Sequence, residues 1–322
     1  MKKILQILFM FFIVSFFTAC SVTKQITGEF YLDTKKYDKG YNHFLKAINE
    51  NKNDAYSQYY YARFLLAKKQ NKKALFHFKK AVEIDDKNAD YYSWLAVAYS
   101  TQKDYKNERK AYLSALKIDK NHLQSLIYLA HNYYDKNEYL NALKYYSKAL
   151  KLSPSNQISL FNRAMLLNKL KRTAEEKQAW LIYLDYYPDE ILSKDAVRYL
   201  NNLGNFDYKI HIIHNNLLIL KDISFNPFSL EIKNESKDSL DLLAKLLSKN
   251  QKLKIHIVSY QKNNKQLAKQ KAQTIKKYIL NKYSNIDSSR LLLSWFNKSK
   301  KVKTTNKRYI LDESIDFITV IK

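Results

Sequence analysis

The chain has 322 residues, of which only three are glycine, three are proline and one is cysteine. No two glycines lie within ten residues of each other, which excludes a glycine-rich dinucleotide or phosphate loop. A single cysteine excludes an internal disulfide framework and a cysteine-rich zinc site. Hydrophobic residues make up 46% of the chain, enough for packed cores, and the net charge of +26 indicates an anionic neighbour such as a membrane surface, a cell-wall polymer or nucleic acid.

The N-terminus has the pattern of an export signal. A basic head at residues 1–3 precedes a run over 4–17 that is apolar except for Gln6 and Ser15, and a small residue stands just before Cys20. This stretch is shorter than the roughly 20 apolar residues that a membrane-spanning helix needs. The pattern therefore predicts a signal peptide over residues 1–19 that is removed on export, so we expect no nucleic-acid partner.

The segment Phe17-Thr18-Ala19-Cys20 resembles the bacterial lipobox, although that motif usually has Leu where Phe17 stands. The resemblance implies that Cys20 is diacylated and becomes the first residue of a lipoprotein, for which two or more acyl chains give stable membrane anchoring. The alternative is an ordinary signal peptide followed by an unmodified cysteine. The implied location is the outer membrane, with the protein on its periplasmic face.

A period of 34 residues runs through the first half of the chain. An aromatic column has members at Phe44, Phe78, Tyr112, Tyr146 and Trp180. A column of small residues has members at Gly28, Ala62, Ala96, Ala130 and Ala164. These columns resemble the tetratricopeptide repeat (TPR), with repeats at 21–54, 55–88, 89–122, 123–156 and 157–190. They predict an α-solenoid of stacked helical hairpins, because one hairpin cannot bury its apolar faces without neighbours.

The second, fifth, ninth and twelfth positions of each repeat are expected to face the concave side of this superhelix. We expect a protein partner to bind there, in a groove that includes Tyr56, Tyr59, Arg63, His131, Tyr134, Phe161 and Asn168. The alternative for each of these residues is packing between repeats. Glu108 and Glu176 replace a small residue of the repeat, and we expect both to reach solvent along the helix flank.

The sequence contains no combination of residues that indicates catalysis. His43 and His77 occupy equivalent positions of successive repeats, but no third ligand follows at a useful spacing, so no metal site is predicted. Paired carboxylates and a Ser/His/Asp set are also missing. We therefore predict a protein that is not an enzyme and needs no cofactor.

After residues 191–206, predicted as a capping helix and linker, the pattern changes. Strands are predicted at 209–213, 217–220, 223–225, 253–259, 290–296 and 315–321, with helices at 235–247 and 266–281. Asn234 or Ser236 is expected to cap the first of these helices. Strands that alternate with helices favour an α+β sandwich with one mixed sheet over residues 207–322.

The motif Asn264-x-x-Leu267-Ala268-x-x-Lys271-Ala272 resembles a helix of the OmpA-like, peptidoglycan-associating domain. The resemblance implies a ligand site near Lys262, Asn264 and Lys271. The family has Asp at the position of Lys262 and Arg at that of Lys271, and its late pair of arginines falls near residues 312–314, where none is present. Recognition by bulk charge is an alternative, because residues 252–308 contain sixteen Lys or Arg and one acid.

Two functions follow from this domain order. The first is a non-enzymatic envelope scaffold, whose repeats (20–190) bind a protein partner while the OmpA-like domain (207–322) contacts peptidoglycan. That order is similar to wall-binding lipoproteins of type IX secretion and gliding machines, although their propeller has no counterpart in this sequence. The second is an adaptor for outer-membrane assembly or export, in which the OmpA-like domain no longer binds peptidoglycan.

Overall fold

A computed structural model describes residues 23–214 and 216–319. Its contacts divide the chain into two compact units, which meet between Ser159 and Leu160. Among the described residues, no helix combines the length and apolar character needed to cross a membrane. The predicted signal peptide and Cys20 lie outside the described residues, so both remain predictions.

The first unit is built from antiparallel helical hairpins. Its helices are α1 (23–33 in the described part), α2 (Tyr37–Glu50), α3 (Ala55–Ala67), α4 (Asn71–Ile84), α5 (Ala89–Thr101), α6 (Tyr105–Ile118), α7 (Leu123–Asp135) and α8 (Tyr139–Leu152). Helices α3, α5 and α7 begin 34 residues apart, at the first position of each predicted repeat. The predicted α-solenoid is therefore confirmed.

The two sequence columns lie in the helical cores of both units, with Ala164 and Trp180 in the second. Every alanine of the small column and every ring of the aromatic column is buried. Close approach of the helices explains the small column: a Cβ placed on Gly28 would lie 2.3 Å from a ring carbon of Tyr60. A larger side chain at this position would force neighbouring helices apart.

Each helical hairpin turns through one residue in the left-handed conformation. These residues are also 34 apart and have φ between 54° and 60°: Lys35, Lys69, Lys103, Asn137 and Lys171. In the turn of the second hairpin, the amide of Lys69 donates to Leu66 O and that of Gln70 donates to Leu65 O, both at 2.8 Å. This is the usual way to satisfy the last carbonyls of a helix, here without the glycine that normally supplies the positive φ.

The second unit begins within α9 (Gln157–Lys169) and continues with α10 (Thr173–Tyr186) and α11 (Ser193–Asn202). An α+β domain follows in the same unit. Its elements are β1 (Tyr208–Ile213), β2 (Asn216–Lys221), α12 (Asn234–Lys249), β3 (Ile255–Gln261), α13 (Lys265–Lys282), a 3₁₀ turn (Ser288–Arg290), β4 (Leu291–Phe296), β5 (Lys300–Lys303), β6 (Arg308–Leu311) and β7 (Glu313–Thr319).

Strand β3 is the centre of the α+β domain. It pairs in parallel with β4 and antiparallel with β7, which confirms the predicted mixed sheet. The β1–β2 hairpin lies beside β7, where Nδ1 of His211 is 3.4 Å from both the amide nitrogen and the carbonyl oxygen of Phe317. Helices α12 and α13 bury Leu240, Leu243 and Ile275 in the same core as the strands.

Two local predictions for this domain are wrong, and one hairpin was not predicted. Residues 223–225 form no strand, and only an isolated bridge joins Phe225 to Ile232. No side chain caps α12, since Ser236 Oγ instead donates to Asp222 O at 3.0 Å. The β5–β6 hairpin was missed, because its lysines on both strand faces obscure the apolar alternation that marks a strand.

Candidate interaction surfaces

A pocket of about 360 Å³ lies among α1, α3, α5 and α7 of the first unit. Three of the predicted groove residues, Tyr56, Tyr59 and Arg63, line it together with Glu29 and Trp94 on neighbouring helices. Tyr59 is only 5% exposed, so it contributes more to packing between repeats than to an open surface. Fewer residues therefore form the open surface of this groove than the sequence positions predict.

Arg63 is held firmly in this pocket. Its Nη1 donates to Glu29 Oε1 at 2.5 Å, and its guanidinium carbon lies 4.5 Å from the centre of the Trp94 ring. Tyr60 donates to the same Glu29 oxygen at 2.9 Å. Arg63 Nε and the hydroxyl of Tyr91 are buried without a hydrogen-bond partner in the described part of the chain. Because both atoms are buried, they belong to the packed wall of the pocket.

A second pocket, of about 380 Å³, adjoins the first and shares Trp94 and Gln124 with it. His131, a predicted groove residue, lines this second pocket, and burial lowers the pKa of its imidazole. Tyr134 is not part of either lining and packs against Tyr139, with ring centres 5.8 Å apart. The two pockets together form a polar and aromatic groove along one side of the stack.

The expectation that Glu108 and Glu176 reach solvent is wrong. Glu108 is 6% exposed and accepts a hydrogen bond of 3.0 Å from Asn132 Nδ2, and burial raises the pKa of its carboxyl group. Glu176 is 2% exposed and accepts from Asn168 Nδ2 at 2.9 Å and from Trp180 Nε1 at 3.2 Å. Each carboxylate has a polar partner on a neighbouring helix, which replaces the water lost on burial.

The last two predicted groove residues lie in the second unit and serve packing there. Phe161 meets the rings of Trp180 and Tyr183 edge-on, with centres 5.2 Å and 5.4 Å away. The side-chain amide of Asn168 donates its hydrogen bond to Glu176. For these two positions the structure favours the alternative of packing between helices.

The histidines of the repeats form no ligand set in the described residues. His77 Nδ1 lies 2.7 Å from Gln58 Oε1, and its ring meets Tyr61 edge-on, while His43 packs on Phe44. No group of three or more His, Cys, Asp or Glu side chains is placed to hold a metal ion in the ranges 23–214 and 216–319.

In the second unit, Lys262 and Lys271 come together around an acidic pair. Lys262 Nζ lies 3.3 Å from Asp312, and Lys271 Nζ lies 2.6 Å from Glu313 and 2.8 Å from Gln261 Oε1. Asn264 does not face them as a ligand, because its side chain accepts from the amide of Leu267 and caps α13. Both cations are already neutralised within the protein, and Lys271 is only 8% exposed.

The β5–β6 hairpin and the segment before it present one cluster of the exposed positive charge of this domain. Lys300 turns inward and pairs with Asp316 at 2.6 Å. The other cations are exposed and have no ion pair among the described residues: Lys298, Lys301, Lys303, Lys307 and Arg308. The charge is evident in the sequence, but the ribbon that presents it is not.

Comparisons with known proteins agree with this architecture. Residues 89–122 and 124–156 match the tetratricopeptide repeat, and residues 224–309 match the OmpA family. PilF of Pseudomonas aeruginosa is 17% identical over 57% of this chain and 84% of its own, with a TM-score of 0.53. The TPR protein YrrB is 23% identical over 50% of this chain and 81% of its own, with a TM-score of 0.45. No curated protein matches the chain.

The chain therefore carries tetratricopeptide repeats followed by an OmpA-like domain. Repeats of this kind indicate interaction with proteins, and the OmpA match indicates association with peptidoglycan. Both are typically non-catalytic modules.

Proposed function

We propose that this chain, with its tetratricopeptide repeats and OmpA-like domain, is a non-enzymatic scaffold lipoprotein of the bacterial cell envelope. Lipid on Cys20 fixes it to the periplasmic face of the outer membrane, the groove around Arg63 holds a protein partner, and the C-terminal domain contacts peptidoglycan. The observation that carries the proposal is the presence of a groove in the repeats and an OmpA-like domain in one chain. Such a scaffold fits a component of a secretion or motility machine.

Wall contact through bulk charge is the form of binding that the side chains support best. Lys271, the position equivalent to the family's arginine, is buried against Glu313 and would have to break an ion pair to reach a ligand. Lys301, Lys303 and Arg308 on the hairpin are exposed and unpaired among the described residues. Peptidoglycan stems carry carboxylates, so attraction to this ribbon is expected to weaken as salt is added.

Co-sedimentation with purified sacculi tests this proposal. Reversing the hairpin charge with Lys301→Glu and Lys303→Glu should lower the fraction of protein that pellets at low salt. The matched control is Lys72→Glu with Lys73→Glu, which removes equal charge from exposed positions on α4. Equal pelleting of the hairpin variant and the control would reject wall contact through this ribbon.

The lipid anchor has its own test. Radiolabelled palmitate should enter the mature chain, and Cys20→Ala should abolish the label and release the protein from membranes. Absence of label from the wild-type chain would reject the anchored scaffold.

The burial of Lys271 favours a second candidate, an adaptor for outer-membrane assembly whose OmpA-like domain binds no wall material. Photo-crosslinking from Arg63 or His131 distinguishes the two. A scaffold gives groove crosslinks in a protein that also pellets with sacculi, whereas an adaptor gives the crosslinks without any pelleting.

A further inference from the structure

A cleft on the second unit is not used by the proposed function. It lies between the loop that joins α10 to α11, strand β2 and helix α12, and all of its residues belong to this unit. It consists of two adjoining cavities, of about 330 Å³ and 580 Å³, which share Pro188, Asp189, Ile219 and Leu242. The cleft is therefore long enough to receive a segment of another protein rather than a single side chain.

The cleft has an apolar lining. Ile191 lines the larger cavity and is 93% exposed, and Leu217 beside it is 44% exposed. Leu218, Leu242 and Leu246 complete this surface. An exposed isoleucine among leucines is a costly feature for a free surface, and contiguous apolar area of this kind usually marks an interaction site.

The rim of the cleft is acidic although the protein is strongly basic. Its carboxylates are Asp185, Asp189, Glu190, Glu235 and Asp238, against two lysines, Lys194 and Lys221. Lys221 is already paired with Asp185 at 3.0 Å. Asp189, Glu190 and Asp238 have no ion pair within the part of the chain that the structure describes. The chain as a whole has 56 Lys or Arg and 30 acids, so this local excess of acid is the reverse of the general surface.

We propose that this cleft binds a cationic amphipathic segment of a partner protein, with apolar side chains on Ile191, Leu217 and Leu242 and lysines or arginines at the acidic rim. Three free carboxylates around an apolar surface complement such a segment and repel an acidic one. A protein of net charge +26 should otherwise attract acidic ligands and repel basic ones. The cleft thus selects a basic segment, although the protein as a whole is basic.

Binding of two synthetic peptides to the full-length chain tests the proposal. One is a short amphipathic peptide of leucine and lysine, and the other has glutamate in place of every lysine. We expect the lysine peptide to bind, and Asp189→Lys with Glu190→Lys to weaken its binding about tenfold or more. Ile191→Ser should also weaken it. These residues are exposed, so the variants should fold normally.

The matched control is Asp33→Lys with Asp86→Lys, which reverses two exposed acids of the first unit and should leave binding unchanged. Preference for the glutamate peptide, or equal binding by the cleft variants and the control, would overturn the proposal. So would formation of dimers that the Asp189→Lys, Glu190→Lys variant abolishes, because a second copy would then occupy the cleft. None of these results depends on wall binding, so the scaffold proposal is tested separately.

Discussion

The ammonium group of Lys271 on α13 lies 2.6 Å from the carboxylate of Glu313 at the start of β7. A second, more exposed ion pair joins Lys262 Nζ to the carboxylate of Asp312 at 3.3 Å. Both acids stand near the place where the OmpA-like family has its late arginines, and Lys262 stands where the family has an aspartate. The charges of this corner are therefore exchanged relative to the family and satisfy each other within the protein.

Removing Glu313 should destabilise the domain, because it leaves Lys271 as a buried cation with Gln261 as its remaining polar partner. We expect Glu313→Ala to lower the free energy of unfolding by about 1–2 kcal/mol, less than for a fully buried pair since Glu313 itself is largely exposed. Adding Lys271→Met should restore most of this loss. Urea denaturation of the wild type, the two single variants and the double variant measures the free energy of unfolding of each. Additive losses would show that Lys271 and Glu313 do not interact.

His211 should make the stability depend on pH. Burial lowers the pKa of its imidazole from 6.5 to about 4, with Lys209 and Lys300 lowering it further and Asp316 opposing them. Between pH 6.5 and pH 4 the unfolded chain therefore binds a proton at His211, whereas the folded chain does not. This group leaves the free energy of unfolding unchanged above pH 6.5 and lowers it as the pH drops towards 4. The shift corresponds to about 3 kcal/mol.

His211→Gln should remove this part of the pH dependence. Urea midpoints measured from pH 7 to pH 4 for the wild type and the variant give the difference directly. Parallel curves for the two proteins would show that His211 does not carry the effect.

Replacing Glu108 by glutamine should stabilise the protein. Burial raises the pKa of this carboxyl group, so its charged form destabilises the fold at neutral pH. Glu108→Gln keeps an acceptor for Asn132 without the charge, and we expect a gain of about 1 kcal/mol. Glu108→Ala should instead lose stability, since the amide of Asn132 loses an acceptor. Thermal melts at pH 7 distinguish the two outcomes, and a destabilised glutamine variant would contradict the argument.

The left-handed turn residues should prefer glycine. Lys103 has φ of 60°, where a residue with a Cβ is strained by about 1 kcal/mol or more. Lys103→Gly should raise the melting temperature slightly or leave it unchanged, whereas Lys103→Val should lower it clearly. Lys110→Gly in the interior of α6 is the control and should destabilise by about 1 kcal/mol. A glycine at 103 that destabilises as much as one at 110 would refute this account of the turn.

The repeat architecture was predictable because its physical requirement falls on fixed positions. A helix that approaches its neighbour as closely as Gly28 approaches Tyr60 tolerates only a small residue, and that restriction recurs every 34 residues. Contacts between distant residues leave no such pattern. The partner of Glu108 is Asn132 on the next repeat, and that of Lys271 lies 42 residues away at Glu313.

The acidic cleft was also invisible in the sequence, because its parts come from three separate segments. Asp189 and Ile191 lie in a loop, Leu217 on a strand and Asp238 on a helix. Each is unremarkable where it stands in the chain. Only the fold brings the apolar lining and the acidic rim together.

A chain that joins a lipid layer to the wall should show both attachments when cell envelopes are partitioned with a detergent that separates on warming. At low salt the protein should pellet with sacculi, and at high salt it should leave the pellet and enter the detergent-rich phase, carried by the lipid on Cys20. Recovery of the wild-type chain in the aqueous phase under both conditions would contradict the account.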